Sequence, residues 1–180
     1  MTRFAMVIDT KTCIGCGDCV VACKTENKVP DGLNRDWIVE ATQGRYPQLT
    51  TEFRSERCNH CSNATCVTLC PTGASHYWKG TNIVLVDPDM CTGCKACIAA
   101  CPYDARLVMH PDGYVDKCTF CHHRVEEGLD PACVSSCPTR CMHFGSIDDP
   151  GSEVSRLLKT RNYKVLKPET GNEPNVYYLI

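Results

Sequence analysis

Apolar residues in this chain come in short runs broken by cysteine, glycine and proline, with no long amphipathic element before the last thirty residues. Three runs end in aspartate just ahead of a cysteine: Val7-Ile8-Asp9, Leu85-Val86-Asp87 and Tyr114-Val115-Asp116. Each predicts a short strand that delivers the chain to a cysteine loop. Ala74–Trp78 and Met142–Gly145 predict return strands, and Lys79–Asn82 turns the first of them back into Ile83–Val86 as a hairpin. Between cysteines, Val20-Val21-Ala22, Val67-Thr68-Leu69 and Ile98-Ala99-Ala100 suit brief helices. One fuller helix is expected from Ser152 to Lys159, with Val154, Leu157 and Leu158 on one face and Asp148, Asp149 and Pro150 as start signals. Residues 167–174 hold too many breakers for regular structure, and Val176–Ile180 is an apolar terminus that wants a neighbour. Residues 24–57 and 102–117 read as insertions between cysteine modules.

Composition changes the picture, because 17 of the 180 residues are cysteine. Without them, roughly a third of the chain is apolar, too little to offset backbone entropy without covalent or metal staples. A net charge of −2 gives no basic field for nucleic acid. No apolar run approaches the roughly 20 residues of a membrane span. Asp9 interrupts the only apolar stretch at the N-terminus, so membrane attachment or export is expected through a partner.

Cysteine spacing carries the chemistry. Cys13, Cys16, Cys19, Cys23 and Cys91, Cys94, Cys97, Cys101 both read C-x2-C-x2-C-x3-C. Cys58, Cys61, Cys66, Cys70 widen the middle gap to four residues, and Cys118, Cys121, Cys133, Cys137 widen it to eleven. Proline follows the last cysteine in three groups (Pro71, Pro102, Pro138), whereas Lys24 stands there in the first. A tight loop with cysteines three apart wraps three corners of a cubane, and the fourth cysteine turns away to a second cluster, as in bacterial ferredoxins. Zinc sites use paired knuckles and have no use for a third cysteine at the next step. Three-residue spacings also make poor disulfide partners, and an odd count argues against a pure disulfide scaffold. Cys141 is left over and reads as a buried free thiol. His60 and His122, within or beside cluster loops, are candidates for hydrogen bonds to sulfur, weighed against structural roles that all six histidines can fill. Lys95 and Lys117, each next to a cysteine, either offset cluster charge or are solvated. Four clusters add a formal charge of about −8, and no nucleotide loop, flavin fingerprint or nucleophile motif accompanies them. A cluster held by four cysteines has no open iron for substrate, so the expected function is electron transfer without a catalytic site.

The run Cys58-Asn-His-Cys-Ser-Asn-Ala-Thr-Cys-Val-Thr-Leu-Cys-Pro-Thr-Gly-Ala74, with Cys94–Arg106 and Lys117–Cys121, resembles the iron–sulfur subunits of dimethyl-sulfoxide-reductase-family molybdoenzymes. Within that family it is most similar to the polysulfide/thiosulfate reductase branch, with dimethyl sulfoxide, tetrathionate and respiratory arsenate reductase partners as further settings. The resemblance implies an α+β fold of two ferredoxin-like lobes, loop-rich, with short hairpins and helices. Residues 1–57 plus 102–150 would form the first lobe, 58–101 an inserted second lobe, and 151–180 a helix and tail for subunit contact. Four 4Fe–4S clusters are implied. Cys13, Cys16, Cys19 and Cys137 would hold the first, and Cys23, Cys118, Cys121 and Cys133 the second. Cys58, Cys61, Cys66 and Cys101 would hold the third, and Cys70, Cys91, Cys94 and Cys97 the fourth. The implied partners are a molybdopterin catalytic subunit and a multi-helix membrane quinone-binding subunit. The complex would lie on the periplasmic face of the membrane, with a cytoplasmic location as the alternative. Hydrogenase or formate-oxidising complexes, or a free polyferredoxin, are the alternative settings.

Metal dependence of folding follows directly from the small apolar content, because cluster binding energy is then folding energy. Chelating iron under oxidising conditions is expected to abolish the cooperative unfolding transition seen by circular dichroism; a stably folded apoprotein would contradict this.

Overall fold

A computed structural model describes all 180 residues. It is a mixed α and β structure of small sheets and short helices. Strands β1 (Phe4–Asp9), β8 (Met142–Ser146), β9 (Tyr163–Lys164) and β10 (Val176–Leu179) form a four-stranded sheet in the order β8-β1-β10-β9. β1 runs antiparallel to β8 and parallel to β10. Both faces of β1 are buried, and alternation decides what each meets. Ala5 and Val7 face helix α6 (Glu153–Thr160), packing with Val154 and Leu157, whereas Met6 and Ile8 face the cysteine-rich interior.

The terminal run Val176–Leu179 finds a neighbour in β1 of its own chain. Val176 and Tyr178 enter the cysteine-rich core, and the Tyr178 hydroxyl donates to the Ser55 carbonyl at 3.1 Å. An apolar strand this short is satisfied within the chain by the nearest unpaired strand edge. Residues 167–174 form only a short 3-10 turn (Pro168–Thr170), yet Asn172 and Pro174 are buried rather than lying on the surface. Helix α6 falls within one residue of the span that its sequence pattern predicts.

The insertion at 24–57 contains the longest strands of the molecule, β2 (Asp36–Arg45) and β3 (Gln48–Arg57), a hairpin with Asp36 opposite Arg57 at its base. Its tip is exposed at Tyr46 and Leu49, while its base is buried. β4 (Ser75–Tyr77) and β5 (Val84–Val86) form the expected hairpin, and β6 (Leu107–Val108) pairs with β7 (Val115–Asp116).

Helix lengths follow the residue after each fourth cysteine. α2 (Thr65–Thr68), α3 (Ala96–Ala99) and α5 (Ala132–Ser135) are single turns, and each precedes a Cys-Pro step. Proline has no N–H and pushes its predecessor out of the helical region, so the helix cannot continue. Lys24 imposes no such stop, and α1 (Asp18–Asn27) runs ten residues. Lys24 Nζ then donates to the Pro30 and Leu33 carbonyls at 3.1 and 2.8 Å, fixing the exit from the helix. α4 (His122–Glu126) completes the set.

Eight of the 29 buried apolar residues are cysteines, so sulfur occupies a large share of the core. Leu179 is fully buried between β1 and α6, while Ile180 is 46% exposed. Leu179→Ala is expected to cost about 2–4 kcal/mol and to lower the unfolding temperature seen by circular dichroism by several degrees, while Ile180→Ala leaves it unchanged. Equal behaviour of the two variants would mean that the terminal strand is not part of the core.

Candidate cluster-binding sites

The four cysteine loops share one backbone device. The residue before the second cysteine is left-handed in each: Gly15 (φ 67°), His60 (φ 43°), Gly93 (φ 66°) and Phe120 (φ 50°). This sharp turn lets cysteines three apart converge on a common centre. Glycine takes it without strain, and at Gly93 a Cβ would also lie 2.7 Å from the Gly113 carbonyl oxygen. His60 and Phe120 adopt it with full side chains, which stack on each other at 3.8 Å between ring centres. His60 accepts a hydrogen bond from the Val84 amide at 3.0 Å, and its fully buried ring holds the interior together. None of the histidines bonds to a cysteine sulfur; His122 packs edge-on to Trp78, and His123 and His143 face Glu26 and Glu153.

Two cavities are ringed by cysteines drawn from two groups each. One is lined by Cys58, Cys61, Cys66 and Cys101, with Tyr103 and Arg106. Another is lined by Cys70, Cys91, Cys94 and Cys97, with Ser75 and Arg106. Helix α2 packs on α3, which is what brings the second and third groups together. Likewise α1 packs on α5 and joins the first group to the fourth. There Asn27 Nδ2 lies 3.7 Å from Cys23 Sγ and 3.8 Å from Cys121 Sγ, so one amide serves thiols of both groups. Burial pushes the Cys23 thiol up to about 12 and Cys133 up to about 11, because a bare thiolate there would lack solvation. Burial likewise pushes Cys61 up to about 12, with Cys58 and Cys66 adding to the shift. Cys16 and Cys94 are the exposed cysteines; the others are buried or partly so. Cys141 is buried as expected, and its Sγ lies 3.4 Å from Cys137 Sγ.

Buried cations surround these thiols. Arg57 Nη1 donates to Cys133 Sγ at 2.9 Å, and Nη2 donates to Ser55 Oγ, itself 3.5 Å from Cys19 Sγ. Burial works against the Arg57 charge, but Cys133 and Asp36 more than restore it. Lys117 is buried rather than solvated, with Nζ donating to the Val84 and Cys118 carbonyls. Lys95, by contrast, is exposed. Arg106 donates from Nη2 to Ser75 Oγ at 2.9 Å, while its Nη1 is buried without a partner, as is the Tyr103 hydroxyl. Nothing in the cysteine spacing singles out Arg57, Asp36, Asn27 or Arg106. The available signal is position: Arg57 and Lys117 each immediately precede the first cysteine of a group.

This donor set fits iron–sulfur clusters. The cavities offer four thiols apiece, together with orphaned donors and buried positive charge that call for an anion. No three His, Cys, Asp or Glu side chains converge closely enough to grip a single metal ion.

Comparison with known proteins agrees. Two models described as a 4Fe-4S dicluster domain match residues 12–74 and 49–147. Protein NrfC of Escherichia coli is 44% identical over 177 residues, covering 97% of this chain and 79% of that protein. A tetrathionate reductase subunit of Salmonella typhimurium is 44% identical over 181 residues, covering 98% and 72%. The arsenate respiratory reductase iron-sulfur subunit ArrB of a Shewanella species is 36% identical over 225 residues, covering 98% and 96%. Because the two dicluster matches together take in every one of the four cysteine groups, and the relatives align along almost the whole chain, the protein belongs to the 4Fe-4S dicluster family, among the iron–sulfur subunits of dimethyl-sulfoxide-reductase-type enzymes.

Proposed function

We propose that this chain relays electrons between a quinone-binding membrane subunit and a molybdopterin catalytic subunit, and that it carries four 4Fe–4S clusters in two ferredoxin-like lobes. No helix is long and apolar enough to cross a membrane, so contact with quinone falls to a partner. Relatives named as subunits of tetrathionate and arsenate reductases support a role in such a complex. The sequence resemblance favours the polysulfide/thiosulfate branch, while the named relatives include tetrathionate and arsenate reductase subunits.

Three cysteines of one group and one of another hold each cluster: Cys13, Cys16, Cys19 with Cys137; Cys118, Cys121, Cys133 with Cys23; Cys58, Cys61, Cys66 with Cys101; Cys91, Cys94, Cys97 with Cys70. The mixed lining of the two cavities supports this exchange of fourth ligands. Bound there, clusters supply one-electron transfer without proton or substrate chemistry. The protein's share is to hold them apart, exclude water and offset their charge.

Surface exposure is the observation that carries the relay. Cys16 and Cys94, the exposed cysteines, belong to the first and the fourth set, whereas the two middle sets contain none. Exposed apolar side chains accompany both: Ile14 and Val21 in the first group, and Leu69 and Met90 next to Cys70 and Cys91. The two ends of a wire need contact with partners, and its middle needs insulation. The first set faces the catalytic subunit and the fourth faces the quinone site, on the periplasmic side of the membrane.

Two outcomes test this reading. In the assembled complex, Cys94→Ser is expected to interrupt quinol-linked turnover while largely sparing reduction by artificial dyes, which donate further along the chain. Loss of dye-driven activity with quinol-driven activity intact would reverse the order. Separately, Cys66→Ser and Cys101→Ser should alter the same cluster signal in electron paramagnetic resonance, with the other three retained. Changes in two different signals would contradict cross-group ligation.

A further inference from the structure

Three cations are withdrawn from solvent: Arg57 and Lys117 are each 1% exposed and Arg106 is 7% exposed. An isolated buried charge is costly, so each needs an anion nearby. Only Arg57 has a carboxylate partner, Asp36 at 3.6 Å. Lys117 spends its ammonium on two carbonyls, and Arg106 spends one nitrogen on a serine and leaves another unmatched. What surrounds all three is cysteine.

Their placement is ordered. Arg57 reaches Cys133 of the second set directly and Cys19 of the first through Ser55. Lys117 adjoins Cys118 of the second set, and its other acceptor, Val84, lines the cavity of the third set. Arg106 lines the cavities of both the third and the fourth set. We propose that these cations stand one at each junction between consecutive cluster sites, and that each raises the reduction potential of both sites it separates. This rests on the ligand sets given above. One-electron reduction adds one negative charge and no proton, so a fixed cation favours the reduced form of whatever lies on either side of it. Because all three cations are buried, the effect is screened less than at the surface. Potentials along the chain are therefore coupled in overlapping pairs rather than set site by site, which limits how far one site can fall out of step with its neighbour. Arg57, Lys117 and Arg106 are positioning residues for charge and hold no iron.

The test is potentiometric titration of the full-length, cluster-loaded protein followed by electron paramagnetic resonance. Methionine replaces each cation with a neutral side chain of similar length. Each of Arg57→Met, Lys117→Met and Arg106→Met is expected to lower the reduction equilibrium constant of two clusters about tenfold, which is about 59 mV for one electron. The pairs overlap in a fixed way. Lys117→Met shares one cluster with Arg57→Met and one with Arg106→Met, while those two share none. Lys95→Met, an exposed lysine beside Cys94, should shift nothing by more than about twofold. Variants that load four clusters with parental potentials, or that each shift a single cluster, would overturn the proposal. Should one variant fail to load, the pattern from the other two still decides. Iron analysis of the unsubstituted protein separates this from the ligand reading: fewer than about sixteen irons per chain means the sets are wrong, whereas four clusters with unmoved potentials means the cations are not what tunes them.

Discussion

Negative charge held on sulfur inside a small protein is the constraint on which the rest of this structure depends. A chain with so little hydrocarbon puts cysteine where a larger domain would put leucine, and eight cysteines are buried among its apolar core. Thiolates in that setting lack solvation, as the upward shifts of Cys23, Cys61 and Cys133 show. Iron removes part of that penalty and buried cations another part. Folding, cluster binding and charge compensation are therefore one problem with one solution.

The elements around the sites follow from that. The ten-residue hairpin strands β2 and β3 reach solvent at their tip, but their base sets Asp36 opposite Arg57 and points the guanidinium at Cys133. The central sheet has two unlike faces, one closed by α6 and one turned to the sulfur core, so the chain termini are drawn in to wall the interior. Asn27, beyond the point where a proline would have ended α1, touches sulfurs of two groups because Lys24 lets the helix continue.

Much of this was legible in the sequence where local rules govern. The strands ending at Asp9 and Asp116, the 74–86 hairpin and the 152–159 helix rest on periodicity and turn chemistry, and they appear where expected. The cluster chemistry was legible because cysteine spacing is itself the geometry. The missing parts depend on distant partners. The terminal strand reads as an orphan because β1 lies some 170 residues earlier in the chain. The 36–57 hairpin is half exposed and its alternation is weak, so nothing local marks it as a carrier of buried charge. Arg57 and Arg106 look like ordinary surface arginines until their neighbours are known. Lys117 had two readings in the sequence, and burial decides between them.

An iron anomalous-scattering map from crystals of the anaerobically purified protein tests the central claim most directly, because it locates metal and ligands together. Four separate iron sites are predicted, each bounded by three cysteines of one group and one from another, with Arg57, Lys117 and Arg106 lying between successive sites. Fewer sites, or any group supplying all four ligands to a single site, would contradict the account.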